Sequence, residues 1–387
     1  MDSKRKLKTA DRALCMAPWV NLHVRTDGCV TPCCESWQKL GDINKERFAE
    51  IWDGPEITTL RAQMLRGELV EGCRKCFEKE TAGVKSLRQR FNERAKHLSD
   101  RAAAPTPGKA TALPVYWDIR FSNICNFRCR SCWYGSSSRW FADAKALNQK
   151  VGDQAIIQGV EDADGLFDQL DSLLPHIEEI YFAGGEPLLM DEHYRLLDRL
   201  AERGLFDTPL RYNTNFSETR YKGRDVFDIW AQFSNVKVSA SVDATGGLGE
   251  LMRKGQDWAE FLDNCHRIKE KSPNVELSTD TTVSVFNILH LPELFRELLA
   301  PGAVRAERME LHLLQEPEHY NIRILPKAWK ARVRSTLEDL ESWLAGILSG
   351  VPQRDTAMAY QQSQIGGIVS YMDAEDCSAR HCQSKLA

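Results

Sequence analysis

Six segments with strand-like composition alternate with helical segments between residues 115 and 314, and this alternation constrains the fold more than any other feature. The predicted strands are 115–121, 179–183, 210–214, 236–243, 275–285 and 308–314, and the clearest helices between them are 191–204, 257–271 and 291–300. Strands that alternate with helical crossovers pair in parallel. The sequence therefore predicts an α/β fold with a parallel sheet, either open or closed into a partial barrel.

The chain on either side of this region has a different character. The N-terminal part consists of short polar and helical pieces, and it is followed by a stretch rich in Ala, Pro, Thr and Gly that is typical of a linker. After Pro326 the sequence predicts one long helix that ends near Gly350. The predicted divisions are an N-terminal domain at 1–97, a linker at 98–114, an α/β domain at 115–325 and a C-terminal helix and tail at 326–387.

Charge and hydropathy exclude several classes of protein. Fifty-one Lys and Arg against 55 Asp and Glu give a net charge of −4, which argues against a nucleic-acid partner. The apolar runs, such as the one at Leu173 and Leu174, fall far short of the ~20 residues of a membrane helix. The first 15 residues are charged, with no apolar segment behind them, so we expect a cytoplasmic protein without a secretory signal.

Twelve cysteines are unusual in such a chain, because disulfides are rare in the cytosol and clustered thiols there are typical of metal ligands. Cys125, Cys129 and Cys132 directly follow the first predicted strand. Three thiolates at this spacing can bind one cubane iron–sulfur cluster and leave its fourth iron without a protein ligand. Zinc is the alternative, but it requires a fourth Cys or His nearby, and none lies between Asn123 and Arg139.

The segment CNFRCRSC at 125–132, together with YFAGGEP at 181–187, resembles the radical S-adenosylmethionine (SAM) superfamily. The resemblance implies a partial (β/α)6 TIM-like barrel and a [4Fe-4S] cluster whose free iron chelates SAM. It also implies reductive cleavage of SAM to a 5′-deoxyadenosyl radical that abstracts hydrogen from a substrate. An electron donor such as flavodoxin or ferredoxin would then be a partner.

The resemblance also implies a set of SAM contacts. Gly184, Gly185 and Glu186 match the family's motif for the methionine amino group, since glycines permit close backbone approach and a carboxylate accepts from an ammonium. Arg253 resembles an arginine that meets the SAM carboxylate. The family's aromatic residue before the third cysteine is Ser131 here, so Phe127 or Trp133 would have to take its place.

Further candidate SAM contacts follow from strand alternation, which puts every second side chain on one face. Ser239, Ser241 and Asp243 share a face of the fourth predicted strand, where polar side chains suit a ribose. Asn213 and Asn215 also share a face, at a place where the family has polar contacts to SAM. A solvated strand end is the alternative for each of these residues.

A second group of cysteines lies near the N-terminus. Cys15, Cys33, Cys73 and Cys76 provide four thiolates, a complete set of ligands for an iron–sulfur cluster or for zinc, and Gly28 suits a tight turn before the second of them. The segment CMAPWVNLHVRTDGCVTPCC resembles the twitch motif, a shortened SPASM domain, placed here before the barrel. The resemblance implies one auxiliary cluster, taken as [4Fe-4S], on these four cysteines.

The remaining cysteines have other interpretations. Cys34 is an alternative to Cys33, because spacing alone does not separate adjacent thiols. Cys29 and Cys265 are expected to be small buried apolar side chains. Cys377 and Cys382 are either additional ligands or exposed tail thiols, and we favour the tail.

The resemblance favours an enzyme that modifies a residue of a peptide or protein. Radical oxidation or rearrangement of a small molecule such as a sugar or nucleoside is the alternative, and a non-catalytic iron–sulfur scaffold is a third possibility. Inward-facing strand residues are the candidate substrate contacts, with buried ion pairing as the competing explanation. These candidates are Asp118 and Arg120, Asp280 and Thr282, and Glu310 and His312.

Overall fold

The computed structural model describes residues 13–81, 83, 85–103, 113–349 and 354–374. The chain forms two compact units, the first made of 1–126, 134–212 and 232–236, and the second of 127–133, 213–231 and 237–387. In the described part of the chain, no helix combines the length and the apolar character needed to cross a bilayer. Cys377 and Cys382 lie outside the described residues.

The described strands and helices are numbered along the chain. The strands are β1 Asn21–Val24, β2 Cys29–Thr31, β3 Gly41–Asp42, β4 Tyr116–Ile119, β5 Arg128–Cys129, β6 Glu179–Phe182, β7 Leu210–Thr214, β8 Arg220–Tyr221, β9 Arg224–Asp225, β10 Val236–Ser241, β11 Arg253–Lys254, β12 Val275–Val283 and β13 Met309–Leu313. The α-helices are α1 Ala17–Val20, α2 Phe48–Trp52, α3 Pro55–Leu65, α4 Arg74–Thr81, α5 Leu87–Arg94, α6 Phe141–Ala146, α7 Ala163–Leu170, α8 Asp191–Glu202, α9 Val226–Trp230, α10 Gly246–Met252, α11 Trp258–Lys271, α12 Leu291–Leu299, α13 Lys327–Ile347 and α14 Arg354–Asp373. Short 3-10 helices lie at Glu71–Cys73, Lys96–Ala103, Ser138–Trp140, Asp171–His176, Pro187–Leu189, Ala306–Arg308, Glu318–Tyr320 and Ile322–Ile324.

In the first unit, the strands follow the order β3-β2-β1-β4-β6-β7. The pairs β1/β4, β4/β6 and β6/β7 are parallel, and β1/β2 and β2/β3 are antiparallel. Every residue of β4 is buried, as is usual for a parallel strand covered on both faces. The N-terminal region thus adds three strands to the edge of β4, which the sequence analysis did not predict.

In the second unit, β10, β12 and β13 are neighbours, with β12 and β13 parallel. The six predicted strands and the α/β partial-barrel class are therefore confirmed. The helix predicted after Pro326 is α13, Lys327–Ile347. The sequence analysis did not predict α14. Its buried residues recur at helical spacing, but one of them is polar and small or polar residues separate them, so the apolar pattern is weak. They are Ala357, Gln361, Ile365, Ile368, Tyr371 and Met372.

The helical pieces of the N-terminal part include α2 and α3, which are separated at Gly54 with Pro55 as the first residue of the second helix. The predicted linker at 98–114 begins within the 3-10 helix Lys96–Ala103. The compact units do not separate there, since the first unit continues through residue 126. The predicted domain boundaries remain a prediction.

Candidate metal centres

Four cysteines of the first unit line one cavity of about 420 Å³, part of it open to solvent. They are Cys15, Cys33, Cys73 and Cys76, the four proposed ligands of the auxiliary cluster. The thiol of Cys34 does not line this cavity, and its residue is exposed. The cavity thus distinguishes two adjacent cysteines that spacing could not separate.

Local structure explains how distant thiols reach this cavity. Cys15 lies just before α1, and Cys33 lies just after β2. The turn that leads into β2 contains Gly28, which has a φ of 78° and whose amide donates to Arg25 O at 3.0 Å. A side chain is strained at such a φ, so glycine suits this position. Cys73 ends a 3-10 helix and Cys76 lies in α4, one turn further on.

Burial raises the pKa of all four thiols, including Cys73, and so favours their neutral form. Burial raises the pKa of Cys15 to about 12, and the neighbouring Cys73 and Cys76 add to this rise. Burial likewise raises the pKa of Cys76 to about 11 and that of Cys33 well above its ordinary value. Metal ligation requires thiolates, so a bound metal must displace these protons.

Two polar side chains stand beside the thiols. The Ser36 hydroxyl lies 3.8 Å from Cys73 Sγ, and the Cys76 thiol donates to Glu35 Oε2 at 3.7 Å. Lys79 Nζ binds the other oxygen of Glu35 at 2.5 Å, which compensates its charge.

The donor set fits an iron–sulfur cluster. Such clusters take one thiolate on each of four irons, so four thiols around a shared cavity suit them. Within the residues that the structure describes, no three His, Cys, Asp or Glu side chains are arranged as ligands of a single metal ion.

The glycine loop predicted to bind SAM follows β6 and packs on the segment that ends at Cys125. Gly184 and Gly185 have φ values of 86° and 56°, and the Glu186 amide donates to Ile124 O at 2.7 Å. A Cβ on Gly185 would lie 2.2 Å from that same Ile124 oxygen. Only glycine therefore allows the loop to pack directly on the residue before the first cysteine of the triplet.

Glu186 directly follows the two glycines, and its side chain is buried. It is 1% exposed, and its Oε1 accepts from the Leu188 amide at 3.1 Å, which caps the following 3-10 turn. A Cβ on Gly184 would lie 2.8 Å from Arg120 Cβ, so the first glycine of the motif makes room for Arg120. The sequence analysis did not anticipate this second reason for a glycine.

Cys129 and Cys132 lie in the second unit, in and just after β5. Strand β5 pairs with β11, which sets Cys129 opposite Arg253, and the Cys132 amide donates to Cys129 O at 3.0 Å. The pKa of Cys129 lies below its ordinary value, first because of a hydrogen bond with Cys132 and then because of the Arg253 charge, which together outweigh burial. The site therefore favours a thiolate at Cys129.

Arg253 and Asp243 were each predicted to contact SAM, and in the structure they form an ion pair with each other. Arg253 Nη1 donates to Asp243 Oδ2 at 3.1 Å, and the Thr282 amide donates to Asp243 Oδ1 at 2.8 Å. Burial opposes the charge of Arg253, but Cys129 and Asp243 outweigh it and raise its pKa. Asp243 thus orients an arginine that lies opposite Cys129.

The other predicted SAM contacts of the second unit have protein partners as well. The Asn215 carbonyl accepts from the Ser217 amide and hydroxyl at 3.1 and 2.8 Å, as in an Asx turn. The Asn213 amide donates to the Asp280 carboxylate. Ser239 Oγ lies 2.9 Å from Ser278 Oγ, and Ser241 is half-buried at the end of β10.

A polar row crosses one face of the first unit's sheet. Thr31, His23, Asp118, Tyr181 and Arg211 stand opposite one another in register on β2, β1, β4, β6 and β7. Cross-strand partners share a face, so these side chains form one line. Sequence analysis found Asp118 but missed His23, because no pattern in a short apolar segment indicates which distant strand it will pair with.

Ion pairing accounts for part of the predicted substrate contacts. Arg120 Nε and Nη2 donate to the two oxygens of Asp118 at 3.1 and 3.2 Å. His23 Nδ1 lies 2.7 Å from Thr31 Oγ1, and its Nε2 lies 3.6 Å from Asp118 Oδ2. Burial lowers the pKa of His23 to about 4 although Asp118 opposes this, so the imidazole is neutral near pH 7.

In the second unit, the candidate substrate contacts Asp280 and Thr282 of β12 lie opposite Glu310 and His312 of β13, respectively. His312 Nε2 lies 3.4 Å from Asp280 Oδ1.

Other sequence expectations have mixed outcomes. Cys265 is fully buried as predicted, but Cys29 is only half-buried, so its assignment as a buried side chain was wrong. Its position in the short strand β2, next to a turn, leaves it partly exposed. Of the two aromatic candidates near the triplet, Phe127 is 1% exposed and Trp133 is 59% exposed.

Two family models match the chain. One, described as the radical SAM superfamily, matches residues 119–297, and the other, a SPASM iron–sulfur cluster-binding domain, matches residues 15–77. The first span contains the triplet, the glycine loop and Arg253, and the second contains the four cysteines of the N-terminal cavity. The predicted order, with the auxiliary domain first, is confirmed.

Several solved structures are similar to this chain. The structure of anSMEcpe with bound AdoMet and a Cp18Cys peptide is 15% identical, with 59% of each chain covered and a TM-score of 0.40. SuiB of Streptococcus suis bound to precursor peptide SuiA is 13% identical, with 74% of this chain and 63% of SuiB covered and a TM-score of 0.42. The chain thus spans less than two thirds of the length of either protein, and no curated protein matches it.

Proposed function

Because residues 119–297 belong to the radical SAM superfamily and residues 15–77 to the SPASM iron–sulfur family, with SAM and iron–sulfur clusters as their cofactors, we propose that this protein abstracts hydrogen from a residue of a peptide or protein. When bound, the cluster and SAM supply a 5′-deoxyadenosyl radical. An auxiliary-cluster domain supports a peptide substrate, because the relatives that this domain resembles mostly modify peptides.

The residues around the triplet have distinct proposed roles. Cys125, Cys129 and Cys132 bind the cluster through three irons. The Gly184–Gly185 backbone provides the surface for the methionine amino group, since its packing on Ile124 fixes the loop directly beside Cys125. Arg253, held by Asp243, presents a fixed positive charge beside Cys129 for a carboxylate.

A shared cavity supports the proposal of a second metal centre. It is lined by Cys15, Cys33, Cys73 and Cys76. Four thiolates complete the ligand set of a cubane, so we propose an auxiliary cluster with no open iron. Such a centre is suited to accept an electron from a substrate radical. If it does, Cys73→Ala with Cys76→Ala leaves SAM cleavage intact and abolishes product formation.

The experiment is anaerobic reconstitution followed by incubation with dithionite, SAM and a uniformly deuterated peptide digest. We expect 5′-deoxyadenosine that carries deuterium, and none from the Cys125→Ala variant. Deuterium transfer from labelled sugars or nucleosides, but not from peptides, would instead establish the small-molecule alternative. A protein with both clusters that forms no 5′-deoxyadenosine would be the non-catalytic scaffold.

A further inference from the structure

Arg88 of α5 lines the same cavity as the four N-terminal thiols. Its Nη1 donates to Leu14 O at 2.9 Å, which places the guanidinium against the backbone next to Cys15. The Arg88 side chain is only 10% exposed. A cation is therefore fixed at the wall of the cavity, where solvent screens it poorly.

Glu80 holds this cation in place. Arg88 Nε and Nη2 donate to the two oxygens of the Glu80 carboxylate at 2.9 and 2.5 Å. The Ser86 hydroxyl donates to the same carboxylate at 2.5 Å. The guanidinium has five donors in a rigid fork, so this bidentate pairing leaves it little freedom to turn away from the thiols.

The charge of Arg88 acts on the contents of the cavity, because the guanidinium side chain lines it together with Cys15, Cys33, Cys73 and Cys76. The charge of a reduced cluster is more negative by one than that of the oxidised cluster. A fixed cation therefore stabilises the reduced form more, and net charge near a cluster is one of the quantities that set its potential.

We propose that Arg88 raises the reduction potential of the auxiliary cluster and that Glu80 positions the guanidinium and partly offsets its charge. This inference rests on the proposed assignment of that cluster to Cys15, Cys33, Cys73 and Cys76. Arg88 acts through the cluster and is a positioning residue for electron transfer.

The test uses the full chain with Cys125, Cys129 and Cys132 replaced by Ala, so that the auxiliary cluster is the one that remains. Reconstituted protein is titrated with dithionite, and the potential is read from the spectrum of the reduced cluster. We expect Arg88→Gln to shift the potential to a more negative value and Glu80→Gln to shift it to a more positive value. Arg88→Lys, which keeps the charge, should restore most of the parent potential.

The outcomes separate the two claims. If the parent binds no cluster, the four-cysteine assignment fails and this inference fails with it. If the parent binds a cluster and Arg88→Gln leaves its potential unchanged, the role of Arg88 is overturned while the cluster assignment stands. If the Arg88→Gln variant does not bind the cluster, the Glu80→Gln variant decides, since a shift of its reduction potential to a more negative value would overturn the proposal. A purely structural role does not predict opposite shifts from the two partners.

Discussion

Arg253 donates to Asp243 at 3.1 Å and lies on β11 directly opposite Cys129 of β5, so a buried ion pair stands beside this cysteine. Asp243 is 1% exposed. Removing one partner of a buried pair leaves the other charge without compensation, which is more costly than losing the pair as a whole. This relationship makes the arginine's position dependent on the carboxylate.

We expect Asp243→Ala to lower the free energy of unfolding by about 3 kcal/mol, because it leaves the Arg253 charge buried and uncompensated. Urea denaturation measures the effect. The exposed pair of Arg334 and Asp373, joined at 2.7 Å, is the matched control, and Asp373→Ala should cost less than about 1 kcal/mol. Equal costs at the two sites would contradict the assignment of a buried pair.

Gly185→Ala should displace the backbone that leads to Cys125, because the new Cβ would lie 2.2 Å from Ile124 O and the φ of 56° disfavours a side chain. We expect SAM binding, measured by equilibrium dialysis on reconstituted protein, to be lost or strongly weakened. Gly247→Ala is the control, since no atom lies within 4 Å of its added Cβ. SAM binding by Gly185→Ala that equals that of Gly247→Ala would show that the loop does not constrain the site.

Cys33→Ala and Cys34→Ala should differ sharply although the two residues are adjacent. Only Cys33 lines the cavity, so its loss should reduce bound iron by about four atoms per chain, while Cys34→Ala retains them. Iron and sulfide analysis after reconstitution decides. The reverse pattern would move the ligand to Cys34.

His23 should make stability depend on pH. Its pKa is lowered to about 4 in the folded chain, chiefly by burial, against about 6.5 when unfolded, so protonation favours the unfolded state. Above pH 6.5, His23 is neutral in both states and does not lower the free energy of unfolding. Between pH 6.5 and about 4, protonation of the unfolded chain lowers that free energy by about 1.4 kcal/mol per pH unit. Denaturation of the cluster-free chain at pH 7.5 and 5 measures this slope.

In His23→Gln, that slope should become shallower because the titrating group is gone. The difference between the two chains isolates His23 from the other histidines. An identical fall in stability between pH 7.5 and 5 would show that His23 is not held neutral by the fold.

The sequence predicted those features that depend on local spacing. The triplet, the glycine loop and the six barrel strands each follow from neighbouring residues, and the four N-terminal ligands follow from recognisable motifs. Pairing over long distances was not predictable in this way. The contact of His23 with Asp118 exists because β1 and β4 are in register, and Arg253 lies opposite Cys129 because β11 pairs with β5.

Strand β1 was missed for a physical reason. Its four residues are all buried and directly follow the short helix α1, so the segment has neither strand alternation nor a turn at its start. Cys29 was misassigned because a cysteine's apolar character does not indicate how much a nearby turn exposes it. Burial of a residue in a sheet depends on partner strands that the local sequence does not specify.

The parallel pairing of β1 with β4 means that the N-terminal cysteine region is not an autonomous module joined by a tether. Cys15 and Cys33 flank a strand bonded to the one that leads towards Cys125, so the two segments share a single hydrogen-bonded framework. Excising the first 97 residues would remove β1, one of the two neighbours of β4, and leave an unpaired strand edge prone to self-association. Evolutionary exchange of this region for another would therefore require a replacement strand.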